Sequence, residues 1–206
     1  MPVAFISGLI SGYLRGVIYL RVSQNINNQK DRHTLDSFLE HWGAGAGIII
    51  LVISGFAIFA DMNRIIFLNI HFIGLIITIY FCLYFIADSL ITKKIKNLIP
   101  DLSDIIDGTI KKYLLRTEWN DSGKYLSSQK AAFLIFALLG LCLFVTGAIK
   151  TVAFYVGISL QLTQAATQAH DLVAKLLVLM LIVHILFALI TPYHRRLLKS
   201  LFTGEL

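Results

Sequence analysis

Long apolar runs recur four times along the chain, separated by short turns or by polar connections. They lie at about 41–60, 65–90, 130–150 and 169–190. A helix needs about 20 apolar residues to cross a hydrocarbon core of ~30 Å, and backbone groups within that core must be paired inside their own segment. The pattern therefore predicts an all-α integral membrane protein, built as a bundle of four transmembrane helices.

The first 30 residues contain a shorter apolar segment, "MPVAFISGLISGYLRGVIYLRV". Ser7, Ser11 and Arg15 recur every four residues and form a narrow polar stripe, which is typical of a helix lying in the cytoplasmic interface. The glycines beside this stripe equally suit a fifth, tightly packed transmembrane helix. We expect residues 1–30 to form an interfacial helix and linker, with a transmembrane helix as the alternative. Residues 31–206 then form the membrane domain.

A second amphipathic segment lies in the connection between the second and third apolar runs. Within residues 104–119, five apolar side chains fall on one helical face, namely Ile105, Ile106, Ile110, Tyr113 and Leu114. Such a face predicts a helix lying on the cytoplasmic surface of the membrane.

Lysine and arginine are unequally divided between the connections. Residues 1–40 hold four, the connection 91–130 holds eight, and the tail after residue 191 holds three, whereas the two short turns contain only Arg64 and Lys150. Cytoplasmic loops carry the excess of basic residues in membrane proteins. We therefore expect the start of the first run, the connection 91–130 and the tail to be cytoplasmic, and the two short turns to face outward.

The composition agrees with a membrane protein and argues against other classes. The chain is 57% hydrophobic and 15% charged, and its mean hydropathy is +0.76. The net charge of +6 does not indicate nucleic-acid binding, because the basic residues flank apolar runs instead of forming a polar face. The two cysteines, Cys82 and Cys142, both lie within apolar runs. Two thiols cannot ligate a four-cysteine iron–sulfur cluster, and the sequence contains no C-x-x-C-H run, so we expect neither such a cluster nor covalent haem attachment.

Four histidines lie within the apolar runs or at their ends. His41 opens the first run at its cytoplasmic end, and His71 is near the outer end of the second. His170 is near the outer end of the fourth run, with His184 fourteen residues nearer the cytoplasm. Fourteen helical residues span about 21 Å and return to within about 40° of the same face. Depth therefore pairs His71 with His170 and His41 with His184.

Two histidine pairs at two depths predict the axial ligands of two b-type haems. Neutral imidazole ligates haem iron, and helix bundles build cofactor sites from facing side chains. Ionisable groups inside a membrane are functional by default, and sites about 21 Å apart cannot share one zinc ion. His33 and His194 lie in polar flanks, where we expect solvated surface residues.

Several motifs within residues 33–206 resemble one known family. They are "EHW" at the first run, "GKYLSSQK" before the third, "TGA" late in the third, the two histidines of the fourth, and the closing "RRLLKSLFTGEL". Together they resemble the cytochrome b (gamma) subunit of membrane-bound respiratory formate dehydrogenases. The cytochrome b subunits of nickel–iron hydrogenases and thiosulfate reductases are relatives. The resemblance implies four spans, two haems b and the cytoplasmic membrane of a bacterium or archaeon.

The resemblance also implies a quinone site beside the cytoplasmic haem, bordered by His184 and by residues 124–130. The positions of that segment that match the family pattern are Lys124, Tyr125, Gln129 and Lys130. Where the family typically has Asn-Ala-Gly, this chain has "LSS" at 126–128. A polar contact expected near the bound menaquinone or ubiquinone is therefore missing.

By this resemblance, we expect a membrane-anchoring electron conduit of a respiratory oxidoreductase. Its partners would be an iron–sulfur ferredoxin-like subunit and a large catalytic subunit carrying molybdenum, tungsten or nickel–iron, which feed electrons to the outer haem. The chain itself contains no nucleophile triad, phosphate loop or metallohydrolase signature. The alternatives are a self-contained cytochrome b and a histidine-based proton or ion transporter. Four spans without inverted repeats argue against the transporter.

Overall fold

The computed structural model describes residues 2–23, 35–116, 118 and 125–190. No strand occurs among these residues. Their helices are α1 (Pro2–Ser23), α2 (Leu35–Phe59), α3 (Arg64–Ile91), α4 (Ile95–Leu98), α5 (Leu102–Ile105), a π-helix (Ile106–Leu115), α6 (Ser127–Val156) and α7 (Leu160–Ile190). The chain divides into two compact units, the first containing Met1–Asn97 and the second Leu98–Thr191.

Four of these helices are long and apolar enough to cross a membrane, namely most of α2 and the whole of α3, α6 and α7. The predicted all-α membrane architecture is therefore confirmed. One difference is that α7 begins at Leu160, nine residues before the predicted start. Leucine, glutamine and alanine, all good helix formers, continue the helix beyond the apolar run. Many apolar side chains on these helices are exposed, such as Ile53 at 60% and Leu179 at 58%, which suits a lipid environment.

In the first unit, α1 packs parallel to the second half of α3. Gly8 faces Tyr80 and Gly12 faces Tyr84, so the contacts advance along both helices together. A Cβ atom on Gly8 would lie 2.6 Å from the carbonyl oxygen of Tyr80, so only glycine permits this approach. The predicted glycine ladder is thus a helix–helix interface. The apolar part of α1, Pro2–Ile18, is shorter than the four long helices.

The helices α2 and α3 form an antiparallel hairpin in the same unit. Gly47 on α2 faces Gly74 on α3. Further along α2, Ser54 contacts His71, which lies nearer the start of α3. This register places the start of α3 beside the second half of α2.

A buried ionic cluster closes the end of α3. Asp88 is fully buried, and its two carboxylate oxygens accept charged hydrogen bonds from Arg15 of α1 and from Lys94, each at 2.7 Å. A buried ionised group is tolerated only when it is paired and hydrogen-bonded. Arg15, which we expected on a polar stripe or reaching for the interface, therefore fixes α1 to α3.

The second unit consists of the antiparallel hairpin of α6 and α7, with the polar connection packed against the start of α6. The helical segment predicted within 104–119 is present, but as a π-helix that ends at Leu115, where Arg116 takes a left-handed conformation with φ 54°. Asp104 accepts hydrogen bonds from Ser127 Oγ at 2.6 Å and from Lys130 Nζ at 2.8 Å. The connection is therefore bound to the first turn of α6 by a buried carboxylate.

Candidate functional site

His71 is held through one ring nitrogen by a hydroxyl on the neighbouring helix. Ser54 Oγ on α2 lies 2.9 Å from Nδ1 of His71 on α3. The same hydroxyl donates its hydrogen to the carbonyl oxygen of Ile50, one turn earlier on α2, at 2.6 Å. Because a serine hydroxyl has only one hydrogen, Ser54 Oγ accepts its second hydrogen bond from the Nδ1–H of His71.

His170 has the same arrangement in the second unit. Thr146 Oγ1 on α6 lies 2.9 Å from Nδ1 of His170 on α7. This hydroxyl donates to the carbonyl oxygen of Cys142, again one turn earlier, at 2.7 Å. Its oxygen therefore accepts a hydrogen bond from the Nδ1–H of His170.

Both histidines are thereby set in one tautomer. A neutral imidazole that is protonated at Nδ1 carries its lone pair on Nε2. Metal-ligating histidines ordinarily donate their other ring N–H to an oxygen, which fixes the tautomer and the orientation of the ring. His71 and His170 thus carry the lone pair on Nε2 in the form that ligates iron, and they fit the role of axial haem ligands.

Glycines lie beside the same two imidazole rings. A Cβ atom on Gly55 would lie 3.7 Å from Cε1 of His71, and one on Gly147 would lie 3.4 Å from Cε1 of His170. These are contact distances, so any larger residue would fill the space beside the ring. Each glycine directly follows the hydroxyl residue that holds the ring, so no side chain from that position covers this part of the imidazole.

The other two candidate histidines lie against aromatic rings. In the second unit, Phe136 on α6 meets the ring of His184 edge to face, with centroids 5.5 Å apart. In the first unit, His41 meets Trp42 in a similar geometry at 5.6 Å. Such edge-to-face contacts are favourable and help to orient both rings.

Each unit carries its histidines at two levels that are separated by about 20 Å. Ser54 marks the level of His71 on α2 because the two side chains are in contact. Thirteen residues separate Ser54 from His41, which corresponds to about 20 Å along the helix. On α7, His170 and His184 are about 21 Å apart. The two separations match, as the predicted two-haem arrangement requires.

Among the residues that the structure describes, no three or more metal-ligating side chains are grouped around one point. A structural zinc ion takes about four protein ligands, whereas haem iron takes only axial ligands from the protein.

The segment that we expected to border a quinone uses its polar side chains largely for structure. Gln129 Oε1 accepts the N–H of Leu126 at 3.0 Å and caps the start of α6, while Lys130 pairs with Asp104. Tyr125 is half-buried. Lys124, like His33 and His194, lies outside the described residues.

The buried carboxylate of Asp104 is stabilised in its ionised form. Desolvation by itself raises the pKa of Asp104, but hydrogen bonds from Lys130, Ser127 and the Asp101 N–H, with the positive charge of Lys130, outweigh it. The pKa of Asp104 is therefore held below its ordinary value of 3.8. At neutral pH this side chain is a negative anchor for the connection.

An apolar cavity that the sequence did not predict lies beside the helix that carries His184. The cavity measures about 320 Å³ and is lined by Tyr113, Val183, Leu186, Phe187 and Ile190. The ring of Tyr113 meets that of Phe187 at 5.0 Å, and its hydroxyl donates to Ser128 Oγ at 3.4 Å. Tyr113 thus bridges the first turn of α6 and the end of α7. In the sequence, the one indication of this cavity was Tyr113 itself, the only hydroxyl side chain on the apolar face formed by Ile105, Ile106, Ile110 and Leu114.

Two other groups were also missed, for different reasons. Ser54 and Thr146 give no motif of their own, although Thr146 belongs to the "TGA" string. The pairing of Asp88 with Arg15 joins residues 73 positions apart. The one indication in the sequence was Asp88 itself, because an acidic side chain within an apolar run requires a positively charged partner.

One family model matches most of the chain. It is described as prokaryotic cytochrome b561, and it matches residues 32–204. The match includes all four candidate histidines and begins after α1. No curated protein and no solved structure matches the chain.

Proposed function

The chain belongs to the prokaryotic cytochrome b561 family, and from this premise we propose that it is the dihaem electron conduit of a respiratory oxidoreductase. As a member of this family it is a multi-pass protein of the bacterial inner membrane that binds haem b and carries electrons. The broader expectation of a membrane cytochrome b is therefore confirmed. Its assignment to a formate dehydrogenase or a related complex belongs to the proposal.

In this proposal, His71 and His170 would ligate one haem b, and His41 and His184 would ligate a second. The observation that carries this proposal is the matching separation of about 20 Å in both units. The fixed Nδ1–H tautomers of His71 and His170 support it further. When bound, haem would supply one-electron oxidation and reduction, and the protein would contribute the histidine nitrogens, their ring orientation and an apolar surrounding.

In the proposed direction, electrons enter at the outer histidine pair and leave to quinone at the cytoplasmic end. The excess of basic residues in the connection 91–130 supports this orientation. The electron donor would be an iron–sulfur subunit joined to a catalytic subunit, because the described part of the chain holds no second type of redox site. A self-contained cytochrome b is the alternative.

We place the proposed quinone, menaquinone or ubiquinone, in the cavity beside α7. The cavity lies next to His184 in sequence, and its lining is apolar except for the Tyr113 hydroxyl. A quinone ring is flat and uncharged with carbonyl acceptors, so it suits aromatic walls. The Tyr113 hydroxyl would leave its long 3.4 Å contact with Ser128 to donate its hydrogen to a quinone carbonyl. A lipid acyl chain would use neither the aromatic pair nor the hydroxyl. Tyr113 thereby replaces the polar contact that Leu126 does not provide.

Reoxidation of the reduced protein by a short-chain quinone tests this proposal. Menadione should reoxidise the dithionite-reduced haems of the wild-type protein. The Tyr113→Ala variant should need roughly tenfold more menadione for half-maximal rate, because it loses a stacking wall and a hydrogen bond. Tyr155→Ala is the matched control, since Tyr155 is 73% exposed near the other end of α6.

Two results would contradict the proposal in different ways. Wild-type haems that no quinone reoxidises would reject the quinone function. Equal menadione dependence of Tyr113→Ala and Tyr155→Ala, with normal haem content, would reject only this cavity as the binding site.

A further inference from the structure

Ser54 and Thr146 contact two of the proposed haem ligands but have no part in the mechanism described so far. We infer that they are positioning residues that set the imidazole orientation and the redox potential of the outer haem. This inference rests on the proposed ligation of that haem by His71 and His170. It concerns two hydroxyls, one from each structural unit, that reach the same nitrogen of their respective rings.

The two contacts agree closely although they share no residue. Each hydroxyl lies 2.9 Å from Nδ1 of its histidine. Each also donates to the carbonyl oxygen four residues earlier on its own helix, at 2.6 Å for Ser54 and 2.7 Å for Thr146. The pairs α2–α3 and α6–α7 therefore share the same hydroxyl–imidazole geometry. A packing role alone does not require this agreement.

The carbonyl contact fixes the direction of both hydrogen bonds. A hydroxyl whose hydrogen is committed to a carbonyl can only accept from the imidazole. The carbonyl, the hydroxyl and the imidazole then form a short chain of hydrogen bonds that polarise one another. Ser54 is fully buried, so its bond is not shared with solvent, and in a low-dielectric surrounding the electrostatic effect is strengthened.

This chain of bonds acts on the nitrogen that would ligate iron. Withdrawing the Nδ1–H towards an acceptor raises the basicity of Nε2, and a more basic ligand stabilises oxidised iron more than reduced iron. The two hydroxyls therefore lower the midpoint potential of the outer haem. A lower potential where electrons enter favours their onward transfer to the inner haem.

Redox titration of the haem-loaded protein with four variants tests the inference. Ser54→Ala removes one acceptor, and Thr146→Val removes the other while keeping the side-chain shape. Each variant should raise the midpoint potential of the outer haem and leave that of the inner haem unchanged. The shift is roughly 59 mV if the equilibrium constant for one-electron reduction changes tenfold. Ser54→Thr and Thr146→Ser retain a hydroxyl and should keep the wild-type potential.

The matched controls are Thr78→Val on α3 and Thr151→Val on α6. Both threonines also donate to a carbonyl four residues earlier, at 2.8 Å and 2.9 Å, so these variants report any general effect of losing such a bond. Their potentials should equal that of the wild-type protein. The ferric spectrum of the low-spin haem, which depends on imidazole orientation, should change only in Ser54→Ala and Thr146→Val.

The outcomes separate this inference from the proposed function. Loss of one haem in Ser54→Ala, with two haems retained in Ser54→Thr and Thr78→Val, also supports a positioning role. Unchanged potentials and spectra in fully loaded Ser54→Ala and Thr146→Val would overturn it. Equal losses in the variants and their controls would show a merely structural role and overturn it too. A wild-type protein that holds no outer haem would reject the proposed function itself.

Discussion

Asp104 ties the polar connection to the first turn of α6 through the hydroxyl of Ser127 and the ammonium of Lys130. Because its pKa is lower in the folded protein than its ordinary value of 3.8, folding favours the ionised form. Its contribution to stability is present above that ordinary value and is lost as the pH falls through the lower, folded-state pKa.

Asp104→Asn should therefore lower the free energy of unfolding at neutral pH by about 1–3 kcal/mol. The difference from the wild-type protein should shrink as the pH falls below 3.8, where the side chain is protonated in the unfolded protein, and should vanish below the folded-state pKa, where it is neutral in both states. Denaturant unfolding in detergent at several pH values measures it. Asp107→Asn is the control, because Asp107 forms an exposed pair with Lys111 and should change stability little. A deficit in Asp104→Asn that does not vary with pH would contradict this account.

For single residues, the sequence identified the candidate histidines but not the side chains that contact them. The histidines stood out because an imidazole is rare within an apolar run, and the structure places all four on the long helices. Their hydroxyl partners could not be predicted from the sequence. Ser54 precedes His71 by 17 residues, and the two side chains are brought into contact by the way α2 and α3 pack in their hairpin. Gln129 was predicted by resemblance to border the quinone, and the structure shows that its side chain caps the start of α6.

The helix α1 packs against α3 through a charged side chain that reaches a buried partner. Its glycines allow close approach to α3, and Arg15 then reaches the fully buried Asp88. The ion pair and the glycine ladder act on the same interface. The helix is therefore held by both shape and charge.

Arg15→Met should weaken this interface by about 1.5–3 kcal/mol, because it removes a hydrogen bond to a buried charged group. Lys94 still neutralises the charge of Asp88 in that variant, so the protein should fold but unfold at a lower temperature. Arg64→Met is the control, since Arg64 is exposed at the start of α3. Thermal unfolding in one detergent compares the two. Equal stability of both variants would show that the buried pair does not hold α1.

Apolar run length located α2, α3, α6 and α7 because a span needs a continuous apolar surface. The polar stripe of α1 fits either water or a buried partner. Arg15 of that stripe contacts the buried Asp88, and only the three-dimensional structure shows this contact. The π-helix was predicted as an ordinary amphipathic helix, because apolar spacing does not distinguish the two winding patterns over ten residues.

On the scale of the whole molecule, the account depends on two levels of histidines recurring in both units. The separation on α7 follows from the sequence, because both histidines belong to one helix. The matching separation in the first unit needed the contact between Ser54 and His71, which relates two different helices. The four-helix membrane architecture was therefore predictable, whereas the hydroxyl partners of His71 and His170 required the structure.

The haem-to-chain ratio of the purified protein tests the central claim most directly. A pyridine haemochrome assay, combined with a measured protein concentration, should give two haems b per chain, extractable because no covalent attachment is expected. Replacing His184 with alanine should lower the ratio to one, since the proposed outer ligands, His71 and His170, are unchanged. A ratio of one or none in the wild-type protein, or an unchanged ratio in the His184→Ala variant, would contradict the dihaem account.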